Sequence, residues 1–333
     1  MSDDTIDKLV EPWPLSLTRS RPLVSALIVM SVAFCTFWLC GAAFGDVPPW
    51  EGTDPRLATG MSLTYTALLG YFVGIGGHAA NRMSEFGRIL APQLTEEGRA
   101  VLATLNRAPR SRLWAATAVG VLLGALNAQW GVFLQFDADP SWWVRASLSL
   151  GSTLVWILVA RVVYFSGRNG RLFSEVGRRH TIVDLFATDA LAPFARTGVL
   201  GVLLTMGALA ITPLQALDAQ FRLENYSWAL VVALPAAVTL LMLPMWGIHR
   251  RLREEKAHAL GEIDAAIAAA DQSLDDAALN RLNALATRRA LVKGVHEWPL
   301  DVRAVSRVGF YLIIPPLAWV AAALVEMGLE RAL

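Results

Sequence analysis

The sequence predicts an all-helical polytopic membrane protein with seven transmembrane helices and a cytoplasmic helical hairpin before the last. The chain of 333 residues is 55% hydrophobic and its mean hydropathy is +0.45. Its apolar residues form continuous runs, and a long charged insert at about residues 247–307 separates the last two runs. Continuous runs favour helices over transmembrane strands, in which apolar residues alternate.

A bilayer core of about 30 Å requires roughly 20 apolar residues per helix. Seven runs meet this length, at residues 23–45, 59–77, 114–134, 144–165, 191–213, 226–247 and 306–328. We therefore divide the chain into an N-terminal segment (1–22), a six-helix region with amphipathic loops (23–247), a hairpin (248–305), and the seventh helix with the C-terminus (306–333).

Positive charge is distributed unevenly over the connections between the runs. Of the 29 Lys and Arg residues, 25 lie on one side and four on the other, namely Arg56, Arg145, Arg222 and Arg331. The positive-inside rule places the N-terminus in the cytoplasm and the C-terminus outside.

The charged insert predicts two helices, from His249 to Ala270 and from about Asp275 to Val295, because good helix formers dominate it. Each helix carries a narrow apolar stripe, and two narrow stripes cover each other only in part. We expect the remaining edge to join copies of the chain through Leu260, Ile263, Ile267, Leu274, Leu279, Leu282 and Leu285. The alternative is a hairpin folded back on loops of its own chain.

Small and polar residues inside the runs are typical of helix-to-helix contacts. Gly70 and Gly74 lie four residues apart in the second run, and Gly120 and Gly124 repeat this spacing in the third. Such small-residue faces let helices approach closely. Asn127 is expected to form a hydrogen bond to another helix.

The sequence contains no catalytic, phosphate-binding or dinucleotide-binding fingerprint, so an enzyme is not expected. The five histidines lack the tight spacing of metal ligands, and neither a metal nor a cofactor is predicted. Basic loops are explained by orientation and by attraction to anionic lipid, without nucleic acid. The runs offer no acidic residue near mid-membrane, which disfavours proton- or sodium-coupled carriers.

The seventh run is the best candidate for a pore lining. Two adjacent prolines remove backbone donors in mid-run and predict a kink or a break. Glu326 could form a ring of carboxylates at a pore mouth in a symmetric assembly, or could simply lie at headgroup level. The candidate lining residues are Tyr311, Pro315, Pro316, Trp319 and Glu326.

Four segments, Arg179–Leu185, Ala192–Arg196, Glu297–Leu300 and Tyr311–Pro316, resemble segments of bacterial membrane proteins that have no assigned activity. The resemblance covers most of the chain and implies location in the bacterial inner membrane.

The predicted topology is also similar to that of the insect odorant and gustatory receptor channels. Those proteins have seven spans, a cytoplasmic N-terminus, and a cytoplasmic anchor before a pore-lining last helix. The resemblance implies a homotetramer that conducts cations. The tyrosine-and-glutamine signature of that family is missing around Tyr311–Glu326. No residue role is therefore carried over, and shared topology is an analogy.

The leading hypothesis is a homo-oligomeric, cation-preferring ion channel, for which gating by a ligand is an open alternative. Its partners would be the bilayer, its own copies and inorganic ions. The second hypothesis is a membrane sensor or scaffold whose hairpin binds a soluble partner. The third is a uniporter-like carrier.

Overall fold

The computed structural model of the chain describes residues 9–11, 19–43, 58–129, 141–218, 224–270, 276–299 and 302–332. Within residues 224–232, 302–305 and 322–332 it describes the helical backbone only. Leu274 lies outside the described residues, and Glu326 lies in the part for which the backbone alone is described.

Most of the described residues form helices, and these are joined by short turns and one two-stranded ribbon. The helices are α1 (Pro22–Leu39), α2 (Thr59–Leu90), α3 (Glu96–Leu102), α4 (Arg110–Ala128), α5 (Trp142–Arg179), α6 (Ala192–Leu209), α7 (Glu224–Ala269), α8 (Asp276–Gly294) and α9 (Val302–Ala332). Short 3-10 turns occupy Ala91–Gln93, Thr188–Leu191 and Thr212–Leu217. The antiparallel ribbon pairs β1 (Leu9–Val10) with β2 (Ala108–Pro109).

The all-helical fold class is confirmed. Three helical segments of the described chain are long and apolar enough to cross a membrane: Pro22–Leu39, Trp142–Arg179 and Thr188–Leu217. A shorter apolar segment covers Ser306–Ala321. Large apolar side chains are exposed on several helices, among them Leu23, Leu27, Trp114, Leu122, Phe310 and Leu317. Such surfaces are compatible with membrane association, while the seven-span arrangement stays a prediction.

Three helices extend well beyond the predicted spans. The helix α2 continues to Leu90, α5 to Arg179 and α7 to Ala269, which makes α7 a 46-residue helix. At 1.5 Å per residue, α7 is about 69 Å long. Two prolines lie inside α7 without ending it. The sixth predicted span and the first helix of the insert are therefore one continuous helix.

Two apolar cores are stacked along these long helices. The first, between α1, α2 and α5, includes Phe37, Tyr65, Leu69, Val144, Leu148 and Val155. The second, which we call the arm-side core, includes Phe86, Leu90, Leu94, Leu102, Phe173, Phe194, Ile248 and Leu252. The rings of Phe173 and Phe194 meet edge to face there, with centroids 6.0 Å apart. The connection between α2 and α4 thus packs against the other helices of this core through Leu94 and the helix α3.

The predicted helix-to-helix contacts are confirmed. Gly70 and Gly74 lie against α1, and Gly120 and Gly124 lie against α5. A Cβ atom on Gly124 would stand 2.5 Å from Cα of Thr153, so the two backbones could not stay where they are. Next to this contact, Asn127 Nδ2 donates to Ser152 Oγ at 2.9 Å.

We predict that Gly124→Ala destabilises the protein by about 1–3 kcal/mol, because the added methyl group forces α4 away from α5. Gly167→Ala is the matched control, since nothing lies within 4 Å of a Cβ at that helical position. The control should gain stability because alanine favours helix by about 1 kcal/mol over glycine. Thermal unfolding in detergent measures both, and equal shifts would contradict the close contact.

The side chain of Asp218 forms hydrogen bonds to the N-terminal end of α2. Its carboxylate accepts hydrogen bonds from the backbone N–H groups of Gly60 (2.6 Å) and Met61 (2.9 Å). Asp218 stands directly after the Thr212–Leu217 turn. Burial raises the pKa of Asp218 to about 7, although the two N–H donors act in the opposite direction.

The raised pKa of Asp218 predicts a pH dependence of stability. Its unfolded value is near 3.8, so between about pH 4 and pH 7 the folded state binds more protons than the unfolded state. The contribution of this buried carboxyl group to the free energy of unfolding is therefore fully present below pH 4 and is lost as pH rises through 7. Asp218→Asn should flatten this loss in melting curves recorded from pH 4 to pH 8. Asp189→Asn, at an exposed position, should keep it.

Candidate functional site at the junction of the arm and the last helix

The C-terminal part of α7 and the helix α8 lie side by side and form what we call the arm, residues 249–269 and 276–294. Arg289 Nε donates to Asp264 Oδ1 at 2.6 Å, and this hydrogen bond lowers the pKa of Asp264. Near the base of the arm, Lys256 Nζ donates to the carbonyl oxygen of Val295 at 2.8 Å. The end of α8 is therefore tied to α7.

The chain that leaves the arm is fixed to α7 by an aromatic cluster, which we call the junction. The rings of His249 and Trp298 are stacked, with centroids 4.0 Å apart and planes 11° from parallel. Nδ1 of the same histidine lies 3.0 Å from the carbonyl oxygen of Glu297. Trp246 adds a third ring, with its centroid 6.4 Å from that of Trp298.

The junction is continuous with the packing of α9. Trp298 and Tyr311 both pack against the small buried cluster of Ala195, Val199 and Met245, which belongs to α6 and α7. The chain that leaves the arm and the N-terminal half of α9 therefore share one packing cluster on α6 and α7.

Three of the candidate pore residues lie on the covered face of α9. Tyr311 and Trp319 pack against the cluster of Val202, Met206, Leu209 and Ala237, and Pro315 is buried. Pro316 is exposed. The helix continues through both prolines, so the expected break does not occur. The role of these residues in a pore stays a prediction.

The candidate oligomerisation residues have different surroundings in the arm. Ile263 is buried between the arm helices, and Leu279 is exposed. The half-buried residues are Leu260, Ile267, Leu282 and Leu285. An apolar edge thus remains on the arm, and its use between copies stays a prediction.

A buried amide pair that sequence reasoning missed joins α2, α5 and the turn before β2. Asn169 Nδ2 donates to Asn106 Oδ1 at 2.9 Å, and Asn106 Nδ2 donates to the carbonyl oxygen of Ala80 at 3.0 Å. Asn106 has a φ of 60°, in the left-handed region that asparagine tolerates better than most residues. The available signal was an asparagine in a turn before proline, which is too common to identify a buried site.

The described residues contain no group of three or more His, Cys, Asp or Glu side chains that could hold a metal ion. Comparisons with protein-family models, with curated proteins and with solved structures find no match to this chain.

We predict that Trp298→Ala loosens the chain between the arm and α9. Loss of the stack with His249 removes about 0.5–1.5 kcal/mol beyond the buried area. Backbone amides of residues 295–298 should exchange hydrogen about tenfold faster, since about 1.4 kcal/mol corresponds to tenfold. Trp114→Ala, at an exposed position on α4, is the control. Unchanged exchange in the Trp298 variant would show that the junction does not hold this segment.

Proposed function

We propose that this protein is the subunit of a homo-oligomeric, cation-preferring ion channel of the inner membrane, with α9 next to the central axis. In this proposal α1, α2, α4, α5, α6, α7 and α9 are seven membrane spans. The arm is a cytoplasmic hairpin, the N-terminus is cytoplasmic and the C-terminus is external, as the distribution of Lys and Arg favours. The arm joins copies of the chain, and the assembly is a tetramer by analogy of topology.

The observation that carries the proposal is the one-sided packing of α9. This helix packs mainly against α6 and the Thr212–Leu217 turn. Its opposite side exposes an unbroken apolar stripe of Phe310 (63%), Ile313 (56%), Leu317 (60%) and Val320 (58%). In a ring of copies, four such stripes would face one another across the axis.

The two faces of α9 receive different roles in this proposal. An apolar constriction closes a pore by excluding water. The exposed apolar stripe would form such a constriction. The face with Tyr311, Pro315 and Trp319 holds α9 to its own subunit. The prolines leave backbone carbonyls of the preceding turn without their helical donors, which helps a helix to bend. The junction would couple that bending to the arm.

The proposal is tested by single-channel recording of purified protein in planar bilayers. Leu317→Asn should raise open probability or leak current severalfold, because a polar side chain wets an apolar constriction. Leu122→Asn, equally exposed at 60% but on α4, is the matched control and should leave the currents unchanged. Silent bilayers for all variants, or equal effects of both asparagines, would overturn the proposal.

A membrane scaffold whose arm binds a soluble partner is the second candidate. It is favoured by the exposure of Leu279 and Leu291 on α8, which leaves apolar surface beside exposed arginines. Silent bilayers together with a strictly monomeric protein in detergent would favour this function over the channel.

A further inference from the structure

A cavity of about 360 Å³ is lined by several arginines and shares no lining residue with the junction. It lies between the end of α2, the helix α3 and the residues before α1 and β2. None of the described lining residues is acidic, and four of them are arginines: Arg19, Arg88, Arg99 and Arg107. Its apolar lining includes Leu94 and Leu102, which are also part of the arm-side core. One side of the cavity is therefore formed by buried core residues.

Two of these arginines are held in place by hydrogen bonds. Arg19 donates from Nε to Asn81 Oδ1 (2.9 Å) and from Nη2 to Ser84 Oγ (2.9 Å). Arg99 donates from Nε to the carbonyl oxygen of Ala91 at 2.9 Å, which orients its guanidinium group. Side chains fixed in this way lose little conformational freedom when an anion binds.

Among the described residues, neighbouring carboxylates do not balance the charge of the cavity. Arg19 Nη1 lies 3.2 Å from Glu11 Oε1, the one ion pair that the four arginines make among the described residues. Four cationic groups and one carboxylate leave an excess of three positive charges. Such an excess attracts anions, and guanidinium groups suit phosphate because they donate paired hydrogen bonds to its oxygens.

We propose that this cavity, with Arg19, Arg88, Arg99 and Arg107, binds a phosphate-bearing anion. Arg19 stands just before α1, one of the candidate membrane spans, so the cavity lies at the level where a membrane surface would meet the protein. The same phosphate chemistry is offered by the headgroup of an anionic phospholipid and by a soluble polyphosphate. A basic pocket beside a span is typical of headgroup sites.

The experiment uses the full chain and has two parts. In the first, inorganic pyrophosphate is titrated calorimetrically into protein in phosphatidylcholine nanodiscs, with sulfate at equal ionic strength as the reference anion. In the second, thermal unfolding is compared between phosphatidylglycerol and phosphatidylcholine nanodiscs without pyrophosphate. The test variant is Arg88→Gln with Arg107→Gln, because both side chains are exposed and their loss leaves the hydrogen bonds of Arg19 and Arg99 intact. The control is Arg281→Gln with Arg288→Gln on the arm.

We expect at least about tenfold weaker pyrophosphate binding in the test variant if the ligand is soluble, since each charge-assisted hydrogen bond contributes strongly. If the ligand is a lipid, the stabilisation by phosphatidylglycerol is lost in the test variant and kept in the control. Either result supports the site and shows whether its ligand is a soluble polyphosphate or a lipid headgroup. The proposal is overturned if neither probe binds, if both variants respond equally, or if sulfate binds as tightly as pyrophosphate.

Discussion

The arm-side core, in which the ends of α2 and α5 are buried against the middle of α7, is the constraint on which the rest of the structure depends. The apolar side chains at these positions are covered by one another and by α3. Phe173, Phe194 and Ile248 are fully buried at this site. The same core fixes the base of the arm through Leu252 and supplies the apolar lining of the arginine cavity.

The sequence was most informative about helices and their contacts. Continuous apolar runs mark where helices form, and the spacing of Gly120 and Gly124 correctly indicated a close helix contact, because only side-chain size matters there. The sequence was less informative about where helices end. Residues beyond the second, fourth and sixth runs are polar but form helix well, so the fall in hydropathy at the end of each apolar run does not mark the end of the helix.

Much of the candidate site could not be read from periodicity. The last helix is apolar on nearly all sides, so no pattern distinguishes the face that packs on α6 from the face that stays exposed. The stacking of His249 on Trp298 joins residues 49 positions apart, and the pairing of Asn106 with Asn169 joins residues 63 apart. Such contacts depend on how helices are arranged, which a single sequence does not encode locally.

The continuity of α7 has a mechanical consequence. One helix runs without interruption from Glu224 to Ala269, so a tilt of α7 at His249 would carry the whole segment of residues 249–269 with it. These 21 residues span about 31 Å, so a tilt of about 5° at His249 would shift Ala269 by about 3 Å. Conversely, a force applied near Ala269 would act on the contacts of His249 through the length of this segment.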